Sequence, residues 1–134
     1  MAYKMSTAFL AALLGGCGPG PMALDVSGSR DDLRFSVVRP GDKPACVNSL
    51  YVFPATPDGA PASWTLLLAD NQRCTDHFRY AVEESGFAAA VPPAALKAGI
   101  PYRARATGGG FDVVRDFIVK PDGTVVQERM AEDQ

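Results

Sequence analysis

From Leu33 to Gln127, apolar and polar residues alternate in short runs that turn residues interrupt. Leu33, Phe35 and Val37 alternate with Arg34 and Ser36, a period of two that sets one strand face on a core and the other in water. Arg39-Pro40-Gly41-Asp42 ends that run. Val47 to Phe53 comes next, with Val47, Ser49, Tyr51 and Phe53 on one face and Asn48, Leu50 and Val52 on the other. After the Pro57-Asp58-Gly59 turn, Trp64 to Ala69 is apolar on both faces, which predicts a strand in the interior of a sheet. His77 to Val82 sets Phe78, Tyr80 and Val82 against His77, Arg79 and Ala81, and Phe87 to Val91 is a further short apolar run. Tyr102, Ala104 and Ala106 alternate with Arg103, Arg105 and Thr107 before the Gly108-Gly109-Gly110 turn. Phe111 to Val119 follows, and Pro121-Asp122-Gly123 turns the chain into Thr124 to Gln127, a closing hairpin. Only Pro92 to Ala98 has a helical cast, and it is too short to pack as a separate helix. About seven or eight short strands at this spacing predict an all-β chain, an antiparallel β-sandwich or a small barrel. The 13 Gly and 11 Pro among 134 residues agree, because they supply turns and shorten elements.

One segment favours the sandwich. Leu96-Lys97-Ala98-Gly99-Ile100-Pro101-Tyr102-Arg103-Ala104 resembles the tyrosine corner of fibronectin type III and immunoglobulin-like sandwiches. The resemblance implies a buried Leu96, a turn at Gly99 and a Tyr102 hydroxyl bonded back to upstream backbone. No cysteine stands two residues after Tyr102, so a Cys46–Cys74 bridge is not the usual immunoglobulin one.

The first residues have a different character. Lys4 precedes the weakly polar to apolar run Met5 to Leu14, which is shorter than the roughly 20 residues a spanning helix needs. A positive start, a short apolar centre and small residues after it describe a secretory signal peptide. Leu14-Gly15-Gly16-Cys17 resembles the lipobox of bacterial lipoproteins. The resemblance implies cleavage before Cys17, a diacylglycerol on its thiol and usually an acyl group on the new amino terminus. Two or three acyl chains hold a protein on a bilayer stably, whereas one does so only marginally. The residue after Cys17 is Gly18 and not Asp, which in the sorting pattern of double-membrane bacteria implies the outer membrane, facing the periplasm. The expected organisation is a signal peptide at 1–16, a lipidated cysteine and flexible tether at 17–31, a β-sandwich at 32–128 and a polar tail at 129–134.

Removing the first sixteen residues from the 134 leaves a mature chain of 118. With Cys17 acylated, Cys46 and Cys74 remain, and an even pair in an oxidising compartment predicts a disulfide. Two cysteines with a distant lone His77 do not make a tetrahedral metal set, and no C-x-x-C spacing suggests redox chemistry. No metal and no cofactor are expected. The formal charge of −2 gives no electrostatic reason to bind nucleic acid.

Catalytic candidates are sparse. Asp76-His77 is the one Asp/His neighbour pair, without a G-x-S-x-G elbow to supply a serine. Glu83 and Glu84, adjacent on a strand, would point to opposite faces. Gly108-Gly109-Gly110 precedes a β-like run and not the helix a phosphate loop must open. Trp64, the sole tryptophan, is expected in the core, against the disulfide. Arg103 and Arg105 share a strand face and, with Arg115 on the neighbouring arm, could form a basic patch for an anionic partner. The expected protein is therefore not an enzyme. It is a membrane-anchored envelope lipoprotein that acts as a protein-binding or accessory module. The alternative is a periplasmic inhibitor or immunity lipoprotein directed against a toxin or hydrolase.

Overall fold

The computed structural model describes residues 22–41 and 43–128. The expected signal peptide, Cys17, residues 18–21 of the expected tether and the tail from 129 lie outside the described residues. Nine strands form two antiparallel sheets, and the described residues contain no helix. In chain order they are β1 (Ala23–Ser29), β2 (Asp32–Val38), β3 (Val47–Pro54), β4 (Trp64–Leu68), β5 (His77–Arg79), β6 (Phe87–Val91), β7 (Pro101–Gly108), β8 (Phe111–Val119) and β9 (Val125–Gln127). The smaller sheet runs β1-β2-β5 and the larger β6-β4-β3-β7-β8-β9. Together they make a β-sandwich whose inner faces supply one core.

The first strand corrects the expected tether. The sequence predicts a lipidated cysteine and flexible tether at 17–31, yet β1 occupies Ala23–Ser29 and pairs along its whole length with β2. Leu24 and Val26 alternate with Asp25 and Ser27, and both apolar side chains are buried. Their burial favours pairing that strand over leaving it solvated.

Rings join the two sheets. Phe35 on β2 meets Trp64 on β4 at 6.3 Å and Phe117 on β8 at 6.0 Å between centroids. Trp64 continues to Tyr80 at 4.9 Å and Phe117 to Tyr102 at 5.7 Å. Trp64 is buried, as is Leu66, and β4 lies inside its sheet between β6 and β3. Tyr80 lies beyond the end of β5, which is shorter than the run from His77 to Val82 suggests; Ala81 takes a positive φ of 68° and Val82 is exposed. The Tyr80 hydroxyl donates to the Ala94 carbonyl at 2.6 Å, and burial pushes its pKa up to about 12.

Strict alternation fails in β3. A register shift between Val47 and Ser49 puts a bulge at Asn48, so Val47, Leu50 and Val52 face the core. Beyond it Ser49, Tyr51 and Phe53 share the opposite face, where Tyr51 and Phe53 are half-buried. An extra residue in one strand changes which side chains point inward from there on.

The corner before β7 has a defined geometry. The Tyr102 hydroxyl accepts a hydrogen bond from the Lys97 backbone N–H at 2.8 Å. Gly99, between them, has a φ of +85°, a conformation that L side chains rarely adopt. Leu96 packs partly buried against the core, and Tyr102 is buried. Replacing Tyr102 by Phe removes the acceptor and leaves the Lys97 amide without its partner. The expected cost is about 1–2 kcal/mol in urea unfolding; an unchanged midpoint would show that water replaces the bond without loss.

Cys46 and Cys74 form a disulfide with Cα atoms 4.5 Å apart, and both residues are exposed at the surface. Immediately after Cys74 the chain crosses between sheets. The Thr75 carbonyl accepts from Val47 N–H at the start of β3, and the Asp76 carbonyl accepts from Val37 N–H on β2. The bridge therefore pins the crossing strand segment beside both sheets.

Candidate functional site

The outer face of the six-stranded sheet carries an ordered array of aromatic, arginine and aspartate side chains. Alternation decides its membership: Ala104, Ala106, Phe117 and Val119 point into the core, so Arg103, Arg105, Val114, Asp116 and Ile118 point out. Direct cross-strand pairing then arranges columns. Tyr51 and Phe53 of β3 stand opposite Arg105 and Arg103 of β7. Across β7, Arg103 stands opposite Asp116 and Arg105 opposite Val114 of β8. Ile118 stands opposite Val126 of β9, which is 44% exposed. On the far side of β3, Leu67 of β4 stands opposite Ser49 and is 40% exposed. Ser49 and Thr107 share a hydrogen bond between their hydroxyls.

The arginines of this face are paired. Arg103 forks onto Asp116, with Nε to Oδ1 at 2.7 Å and a second bond at 3.0 Å. Arg105 forks onto Asp112 at 2.8 and 2.5 Å. The hydrogen bonds from Arg105 hold the Asp112 carboxyl below the ordinary aspartate range, and the paired carboxylates raise both guanidinium pKa values. Two parallel N–H···O bonds fix the plane of each guanidinium as well as its position.

These pairs overturn the basic patch expected from Arg103, Arg105 and Arg115. The first two are each neutralised by an aspartate that the hairpin register delivers. Arg115 is on the other side of the sheet, opposite the buried Ala104. From there it donates to the Leu24 carbonyl at 3.0 Å and the Glu128 carbonyl at 3.2 Å, tying β8 to β1 and to the end of β9. Its role is internal, and the face shared by the other two has balanced charge.

The remaining candidates do not converge. His77 Nδ1 lies 3.1 Å from its neighbour Asp76, with a side chain 76% exposed at the rim of the smaller sheet. On that sheet Asp32 is held by Arg34 and Arg79, and the hydrogen bond from Arg34 is the main cause of its lowered pKa. Gly108-Gly109-Gly110 forms the β7–β8 hairpin turn. Gly108 has no room for a side chain, since a Cβ would fall 2.3 Å from the Phe111 ring and 2.4 Å from the Cys46 carbonyl. Among the described residues no three of His, Cys, Asp and Glu gather in a way that could hold a metal ion. Among them, too, no helix is long and apolar enough to cross a membrane.

Compared with known protein families, curated proteins and solved structures, the chain matches none.

Proposed function

We propose that the chain is a lipid-anchored envelope protein that works by binding another protein through the outer face of its six-stranded sheet. The observation that carries this reading is the ladder of Tyr51 and Phe53, Arg105 and Arg103, and Asp112 and Asp116 on one face. Tyrosine, arginine and other aromatic residues dominate the energetics of protein interfaces. Here the arginine forks are already held by carboxylates, so little side-chain freedom remains to be lost on contact. The lipobox Leu14-Gly15-Gly16-Cys17 supports the anchor. The exposed Cys46–Cys74 bridge supports an oxidising compartment, where surface disulfides persist. An acylated Cys17 beside a domain that starts by Ala23 would hold the sandwich close to the bilayer.

Two substitutions separate the parts of the proposal. Cys17→Ser is expected to move the protein from the membrane pellet to the soluble fraction and to abolish incorporation of labelled palmitate. Firm sedimentation of that variant would contradict the anchor. A photocrosslinking residue at Tyr51 is expected to capture a discrete protein, while the same residue at Val38, exposed on the smaller sheet, is not. Equal capture at both positions would contradict the assigned face. If the captured species is a toxin or hydrolase whose activity the protein blocks, the module is an inhibitor; if it is a resident envelope protein, the module is an accessory subunit.

A further inference from the structure

The columns of the outer face are self-complementary, and we propose that the partner of this face is a second copy of the same chain. The inference rests on the protein-binding reading above and names its partner. From β3 to β9 the face presents an aromatic column (Tyr51, Phe53), a cationic column (Arg105, Arg103), a column with Asp112 and Asp116 around Val114, and Val126 with Ile118 beside it. A two-fold axis parallel to the strands, between β7 and β8 and in the plane where two such faces meet, exchanges β7 with β8 and β3 with β9. Each cationic column then lies over the acidic column of the other copy. Each aromatic column lies over β9 of the other copy, where Val126, level with Ile118, is two positions along the strand from the height of Phe53. Because Arg103 and Asp116 are in direct register, the rotation sets Arg103 of one copy over Asp116 of the other at the same height along the strands.

The physical terms agree with that arrangement. Each Arg–Asp pair is neutral before contact, so stacking two copies adds opposite charges to a pair and leaves no isolated charge covered. The second carboxylate approaches a guanidinium whose plane is already set by the first. At both flanks the half-buried Tyr51 and Phe53 face the strand that carries the exposed Val126, offset from Phe53 by two positions. Sheets that pack face to face cross at roughly 30°, so the columns nearest the axis stay aligned and the outer ones diverge gradually. A two-fold pair of identical faces also closes on itself, which keeps assembly at two copies.

The edges of the sheets offer weaker alternatives. β1 and β9 are tied to each other through the Ser29–Thr124 bridge and the Gln127 amide, which accepts from Val26 N–H and donates to Asp25. β5 has three residues, two of them His77 and Arg79. β6 has exposed Ala88, Ala89 and Ala90, but its pairing with β4 is irregular between Thr65 and Leu66 and Pro92-Pro93 follows it. Bulges and prolines are devices that discourage strand addition.

The test is sedimentation equilibrium of the full chain in density-matched detergent, across a concentration series. The expected result is a reversible doubling of the protein mass. Arg105→Asp places like charges across the axis and should return the protein to a single copy. Arg105→Asp combined with Asp112→Arg exchanges the columns and should restore the pair. Val126→Asp, outside the Arg–Asp ladder, should weaken pairing with the melting temperature of the single copy unchanged. A single-copy mass at every concentration would overturn the inference, as would a pair indifferent to both Arg105→Asp and Val126→Asp. In the first case, capture of a different protein at Tyr51 would leave the protein-binding reading standing. In the second, no capture at Tyr51 would bring that reading down as well.

Discussion

Phe35→Ala is expected to destabilise the sandwich by about 3–5 kcal/mol, the range for deleting a buried ring. Phe35 is fully buried and touches rings on two strands of the opposite sheet, Trp64 and Phe117. Removing it leaves a void between two sheets whose strands are each fixed by their ladders, so collapse into the gap is limited. The melting temperature should fall by at least about 10 °C, since each kcal/mol moves a domain of this size by several degrees. Phe35→Leu retains most of the volume and should cost much less. A calorimetric scan of the three proteins checks this. Similar melting temperatures for wild type and Phe35→Ala would mean that the two sheets are not joined through this ring.

Removing the disulfide should have an effect of similar size. Cys46 and Cys74 are separated by 28 positions, and closing a loop of that length reduces unfolded-chain entropy by an amount worth about 3.5 kcal/mol. The native contribution is local: the bridge sits where Thr75 and Asp76 bond to β3 and β2 in turn. In the Cys46→Ser, Cys74→Ser double variant the urea midpoint should fall by more than about 1 M, given slopes of 1–3 kcal/mol/M for small proteins. Hydrogen exchange should also rise first at Val37 and Val47, whose amides bond across the pinned segment. An unchanged midpoint would place the bridge outside the cooperative structure. Because both cysteines are exposed, a membrane-impermeant reductant should reach them without unfolding the domain.

Much of this fold can be read in the chain because strand alternation is a local property. The buried faces of β2 and β7 follow the period-two pattern without exception: Leu33, Phe35 and Val37 in one, Tyr102, Ala104 and Ala106 in the other. The apolar character of β4 on both faces matched its interior place in the sheet. Two departures show where the local pattern falls short. β1 also alternates, but its flanking Ser27, Gly28 and Ser29 look like linker residues, and only pairing with β2 reveals Leu24 and Val26 as core. The Asn48 bulge in β3 is set by the fit of that strand between β4 and β7, which no local pattern encodes.

The outer face was less legible for a related reason. Arg103 and Arg105 stand out as charges, whereas their meaning depends on which residues lie beside them. The clue was the turn. With Gly109-Gly110 as a two-residue loop and Gly108 opposite Phe111, the register carries Arg103 to Asp116 and sets Arg115 opposite Ala104. Counting outward from the glycines would have paired the charges and turned Arg115 inward. Tyr51, Phe53 and Val126 could not be assigned to this face from the sequence, because their place follows from the bulge and from the order of the strands. The resemblance of Leu14-Gly15-Gly16-Cys17 to a lipobox stands apart from all of these, since a linear motif is legible without any tertiary structure.

Intact-mass spectrometry of the protein extracted from membranes tests the lipid anchor most directly. The expected species is a 118-residue chain that begins at Cys17 and carries a diacylglyceryl thioether, with its remaining two cysteines lighter by two hydrogens. A mass equal to the whole 134-residue chain, or to a cleaved chain with an unmodified Cys17, would contradict it.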